Sequence, residues 1–248
     1  MNVLPVSIAR GARPRWLGLA IACAAAAAIA GGTAMLHDPA TGWRWLHWVC
    51  KPLATALIVF MVWRTRSPLS PRYRRWIGAG LVCSLAGDVL LMLPQDLFVP
   101  GLLAFLFGHL CFLTAFLGDS RFAALPLWLL ASLGLAGLNL WLLWGSIGAA
   151  LRVPVIVYVL VLASMAGQAL VRARVFARRG DAQAGAARLA AAGALTFMLS
   201  DSLLAWNRFH AAIPLSGIWV LSTYYLALWW IARSVQRRDA MAEAGASN

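Results

Sequence analysis

Two aspartates, Asp88 and Asp201, each interrupt a long apolar run. Asp88 lies twelve residues beyond Trp76, where its run begins, and Asp201 thirteen beyond Arg188. At about 1.5 Å per helical residue, each sits about 18–20 Å into its helix. A carboxylate at that depth of a bilayer costs at least about 3 kcal/mol, and aspartate is too short to snorkel to the surface. Residues that expensive are expected to do something. If the two come close, they cannot both ionise, so one holds a proton while the other is charged. General acid/base hydrolysis needs that division of labour, and so does a proton-coupled carrier of a lipid or small molecule.

Further polar groups cluster at the same level. His109 falls eleven residues into its run, and a tight turn joins that run to the one carrying Asp88, so the imidazole can face Asp88. Ser200, Ser202 and Asn207 flank Asp201, and at most one of the two serines shares its helix face. Tyr224 and Tyr225 reach the level of the acids from the last run. Asn139 and Gln168 read as links between helices. His37, His47 and His210 read as edge residues, and Asp38, Asp96, Asp119 and Asp181 as solvated loop charges. Cys23, Cys50, Cys83 and Cys111 lie in or beside apolar runs without a C-x-x-C pair, and read as small buried residues rather than disulfide or metal ligands. His47 and Cys50 form one H-x-x-C pair, short of the three or four ligands of a zinc site. No phosphate loop, nucleotide fingerprint or G-x-S-x-G is present.

The elements that must hold these groups are membrane helices. Of 248 residues, 62% are hydrophobic and 12% charged, too few polar residues to clothe a soluble domain. Eight stretches are long enough to span a bilayer: 16–36, 46–63, 76–93, 98–117, 122–144, 151–171, 188–206 and 214–232. The expected fold is an all-α polytopic membrane bundle of about eight helices, one domain over 1–236, with a disordered polar tail at 237–248. The first run has a basic start and an AGGTA segment that resembles a signal-peptide cleavage site. The eight-helix pattern favours reading it as a retained helix.

The net charge of +13 does not point to nucleic acid, because the basic residues fall between apolar runs instead of on a domain. Seventeen of the 21 fall on one side of the expected bundle, and only Arg44, Lys51, Arg152 and Arg208 on the other. That asymmetry puts both termini in the cytoplasm. Residues 75–93 and 188–206 align at one constant offset, Gly80 with Gly193 and Asp88 with Asp201, which suggests a parallel repeat of four plus four helices.

The segments GDVLLML (87–93), FLFGHLCFLTAF (105–116), GALTFMLSDSLLAWNRF (193–209) and TYYLALWW (223–230) resemble the YhhN family of lysoplasmalogenase-like membrane proteins. One position departs: Leu228 stands where the family often carries Gln. The resemblance implies hydrolysis of the vinyl ether bond of lysoplasmalogens to a fatty aldehyde and a glycerophospho-alcohol, with no metal or other cofactor. It implies Asp88 and Asp201 as catalytic carboxylates, with His109, Ser200, Ser202, Asn207, Tyr224 and Tyr225 supporting them. The expected partners are a lysophospholipid drawn from the bilayer and the surrounding membrane lipids, in a bacterial inner membrane. The rivals are the carrier and a non-catalytic assembly protein whose polar residues only join helices.

Overall fold

A computed structural model describes residues 15–37 and 42–236. Arg10, Arg13, Asp38, Arg237, Arg238 and the tail 237–248 lie outside the described residues. The order is α1 (Arg15–His37), α2 (Trp43–Trp63), α3 (Pro71–Met92), α4 (Phe98–Leu117), α5 (Pro126–Leu143), a 3-10 turn at Trp144–Ser146, α6 (Ala149–Arg178), α7 (Ala184–Phe209) and α8 (Ser216–Arg233). Prolines start helices where their missing N–H costs nothing: Pro71 follows the capping Ser70, whose hydroxyl accepts from Tyr73 N, and Pro126 opens α5. Pro52 and Pro154 lie inside α2 and α6, and both helices continue through them. Gly180, at φ 63°, ends α6 in a left-handed turn closed by Asp181 N on Phe176 O.

α1 pairs with α2, α3 with α4, α5 with α6 and α7 with α8, and α6 joins the halves by packing on α4 and α7. α8 lies inside, against α1, α2, α3 and α7. Among the described residues, seven helices are long and apolar enough to cross a membrane. α8 is the exception, because Ser222, Thr223, Tyr224 and Tyr225 dilute it; Trp219 and Leu226 stay exposed on one face, while Leu221, Tyr224, Tyr225 and Leu228 are buried against its neighbours. The outside carries Leu127, Leu130, Leu138, Trp141, Val153 and Leu160, all exposed. Water would penalise such a surface and a bilayer favours it. The protein is an integral membrane helix bundle.

α6 runs past 171, because its basic residues are accommodated on the helix. Arg172 is fully buried, forms a two-nitrogen fork with Asp119 at 2.7 Å, and stacks between Tyr73 and Phe176. Arg174 lies over Trp128. The expectation of a solvated charge at Asp119 is therefore corrected: it neutralises a buried guanidinium. Asp96 pairs with Arg208, and Asp181 accepts from Gln183 N.

Gly193 sets the α7–α8 contact, since an added Cβ would stand 2.8 Å from Ala227 O and 3.0 Å from Ile231 N. Backbone cannot yield as a side chain can, and overpacking costs about 1–3 kcal/mol. Gly193→Val is therefore expected to lower the thermal unfolding midpoint of detergent-purified protein by several degrees. An unchanged midpoint would show that α7 and α8 are not held at this distance.

Candidate active site

Asp201 projects from α7 into a cavity of about 360 Å³ bounded by α3 to α7. The volume is in the range of small-molecule pockets, roughly 300–1,000 Å³. Most of its wall is apolar; the polar side chains on it are Asp201, Tyr158, Ser202 and Asn139. The Tyr158 hydroxyl, from α6, donates a short hydrogen bond to Asp201 Oδ2. His109 Nε2, from α4, stands 2.9 Å from the Tyr158 hydroxyl and 3.5 Å from the same carboxylate oxygen. With Tyr158 donating to the aspartate, its oxygen is free to accept from an Nε2–H of His109. His109 is fully buried, and its Nδ1 has no partner. Asp201 Oδ1 likewise has no protein partner among the described residues, so one carboxylate oxygen is held and the other is free.

Asp88 occupies a different setting. It is 2% exposed and does not line this cavity. Thr55 and Tyr224 each donate to its Oδ2 at 2.7 Å, and Lys51 Nζ lies 3.9 Å from Oδ1. Between the carboxylates stands an aromatic wall. Tyr224 meets Phe105 and Phe197 edge-on, and Phe197 meets His109 edge-on at 4.7 Å between ring centres. The two acids thus make no direct contact, and His109 faces Asp201 instead of Asp88, because it leaves α4 on the side packed against α6.

The flanking residues separate in the same way. Ser202 lines the cavity, bonding Met198 O and accepting from Asn139, whose amide oxygen accepts from Trp206 Nε1. Ser200 points away and ties α7 to Val220 O of α8. The Asn207 side chain accepts from Ile213 N and closes the α7–α8 turn. The Tyr225 hydroxyl donates to Lys51 O. Gln168 links α6 to the α4–α5 loop through Ala123 N, Ser120 and Arg121 O. His47 is not a surface residue, since its Nδ1 meets Ala28 O at 2.8 Å between α1 and α2.

Sequence reasoning missed Tyr158 and Thr55, the groups that bond the carboxylates from α6 and α2. Thr55 is the lone hydroxyl of α2 and Tyr158 the one tyrosine of α6, the one available signal. Lys51 read only as an edge cation.

The YhhN family model matches residues 46–235, which contain every residue of both acidic clusters. The chain is 34% identical over 194 residues to the lysoplasmalogenase TMEM86B of Homo sapiens, covering 78% of this chain and 76% of that protein. It is 34% identical over 165 residues to human lysoplasmalogenase TMEM86A, 66% of each chain. A lysoplasmalogenase of Mycobacterium tuberculosis is 37% identical over 153 residues, 56% of this chain and 51% of that one. No solved structure matches.

The Lys51–Asp88 pair yields a stability test. Removing one member of a buried pair strands the other and costs about 3–5 kcal/mol, whereas replacing both is often close to neutral. Lys51→Met alone is expected to lower the unfolding midpoint strongly, and Lys51→Met with Asp88→Asn to recover most of the loss. Additive effects of the two changes would show that the groups do not interact.

Proposed function

Because this chain belongs to the YhhN family, we propose that it is a membrane-embedded hydrolase that cleaves the vinyl ether bond of lysoplasmalogens, with Asp201 as the carboxylate that meets the substrate. The observation that carries this reading is the free Oδ1 of Asp201 on the wall of an otherwise apolar cavity, with Oδ2 held by Tyr158.

The substrate chain reaches that cavity from the side. The α5 and α7 backbones stand apart, joined by side chains such as Asn139 with Ser202 and Trp206, and Leu135, Leu195 and Leu199 along their gap both line the cavity and face outward. A single-chain lipid slides from the bilayer between these helices and sets its alkenyl segment against Asp201. The protonated Asp201 gives its proton to the β-carbon of the vinyl ether, leaving an oxocarbenium ion beside a new carboxylate. That negative charge stabilises the cation in a low-dielectric site. Water then adds to the α-carbon and returns a proton to Asp201. The hemiacetal collapses as Asp201 protonates the departing glyceryl oxygen and recovers a proton from the hemiacetal hydroxyl. Fatty aldehyde and glycerophospho-alcohol leave, and the enzyme is restored.

Tyr158 and His109 position Asp201 and stabilise its charged form through the Oδ2 bond. Asn139 and Ser202 supply polar atoms for the water. Asp88 acts through Tyr224, fixing the aromatic wall behind the cavity. Ser200, Asn207 and Tyr225 join helices.

The carrier alternative needs helices interrupted near the midplane, whereas α2 and α6 run unbroken through their prolines. The parallel repeat also belongs to this reading. Asp88 takes bonds from the preceding helix (Thr55, α2) and from α8 (Tyr224); Asp201 meets the preceding helix (Tyr158, α6) and α4 (His109). Both termini lie in the cytoplasm and the membrane is a bacterial inner membrane, a reading supported by the basic residues at one end of the helices.

Aldehyde release by detergent-purified protein tests the mechanism. Asp201→Asn is expected to lower kcat at least about 100-fold, in line with the usual share of acid/base catalysis, and Tyr158→Phe to lower it less. The saturated ether analogue should bind without being cleaved. Full aldehyde release by folded Asp201→Asn protein would end this assignment.

A further inference from the structure

Arg208 and Asp96 pair at the Phe98–Phe209 end of the cavity, outside the set of residues that surround Asp201. The Arg208 guanidinium lies 5.1 Å from the ring centre of Phe98, and Phe98 meets Phe209 edge-on at 5.7 Å. Both rings line the cavity, so the guanidinium rests on its aromatic rim. Arg208 contacts Asp96 through one nitrogen only: Nη2 donates to Oδ1 at 3.0 Å and to Oδ2 at 2.8 Å. Its Nε and Nη1 have no partner among the described residues. The side chains are 44% and 67% exposed, and so open a pair contributes little to stability. Arg152, on the same side of the bundle, is engaged: its Nε donates to Ile147 O and its plane stacks on Trp144.

Spacing connects this pair to the reacting carboxylate. Arg208 follows Asp201 by seven residues, just under two turns of about 3.6 residues, so both leave one face of α7 about 10 Å apart along the axis. In a lysoplasmalogen, five bonds separate phosphorus from the ether oxygen, and two more reach the vinyl β-carbon. At about 1.5 Å per bond along a zigzag chain, the extended span is roughly 8–9 Å. The rise between the two positions on α7 is thus comparable to the span between phosphate and vinyl β-carbon in the substrate.

Resting on the reading of Asp201 above, we propose that Arg208 is the headgroup anchor: its two free nitrogens hold the substrate phosphate, and Asp96 takes the ammonium of a zwitterionic headgroup. The planar fork of arginine suits two phosphate oxygens at once. Asp96 keeps the guanidinium over Phe98 in the unliganded protein and presents its remaining acceptor capacity to the ammonium, so the arrangement selects phosphoethanolamine or phosphocholine over a neutral head.

The test is a specificity ratio, which does not depend on the fraction of protein that is active. Aldehyde release is measured with 1-alkenyl-glycerophosphoethanolamine, 1-alkenyl-glycerol phosphate and headgroup-free 1-alkenylglycerol. Arg208→Gln is expected to lower the kcat/KM ratio of the phosphoethanolamine substrate to alkenylglycerol by about tenfold or more, chiefly through KM, as loss of a charge-assisted bond predicts. Arg208→Lys should fall between, since a point charge replaces the fork. Asp96→Asn should lower the ratio of the phosphoethanolamine to the plain phosphate substrate. Ratios within twofold of the parent protein for Arg208→Gln would overturn the anchor. If the parent protein cleaves none of the three, the hydrolase reading itself falls and the anchor with it.

Discussion

A carboxylate inside a membrane bundle must be given hydrogen bonds or a counter-charge, because lipid offers it neither, and the interior is organised around two solutions to that requirement. Asp88 is enclosed and supplied with two hydroxyls and an ammonium group. Asp201 receives one hydroxyl on one oxygen and keeps the other toward a cavity. In the first arrangement the carboxylate is 2% exposed and off the cavity wall, with both hydroxyls on Oδ2 and the ammonium beside Oδ1. The second leaves one atom able to carry a proton into an apolar space, where its transfer is not screened by water.

The remaining helices keep these two settings apart and differently enclosed. α8 brings Tyr224 to Asp88 from the face it packs on α1, α2, α3 and α7, while Trp219 and Leu226 stay exposed on the other. α6 brings Tyr158 to Asp201 and continues to Arg178, where Arg172 is neutralised by Asp119 at the basic end of the bundle. Phe105, Phe197 and His109 fill the space between the acids. The α5–α7 gap is the entrance proposed for the lipid, with the Asn139–Trp206 bond tying those helices together.

Much of this was legible before any coordinates. Apolar runs announce eight helices, and two aspartates deep in such runs announce where the cost is concentrated. Partnership was not legible, because it depends on how each helix is rotated. In a bundle apolar on nearly every side, periodicity gives weak guidance to rotation. That is why His109 could be placed opposite the wrong acid, why Tyr158 and Thr55 passed unnoticed, and why Asp119 looked like a solvated charge. Ser200 and Ser202 are the instructive contrast: two residues apart, they leave α7 on opposite sides and cannot both accompany Asp201, and only Ser202 reaches the cavity. The spacing of Arg208 from Asp201 was visible in the sequence, but it acquires meaning only when Phe98 and Phe209 place the guanidinium on the cavity rim.

The proposed chemistry requires Asp201, and not Asp88, to meet the lipid. A membrane-soluble carbodiimide, which reacts with protonated carboxyl groups in apolar surroundings, addresses it directly when the modified peptides are located by mass spectrometry. The account predicts labelling at Asp201 with parallel loss of activity, slowed by a saturated ether lysolipid, while Asp88 stays unmodified. Labelling at Asp88 under lipid protection, with Asp201 untouched, would contradict it.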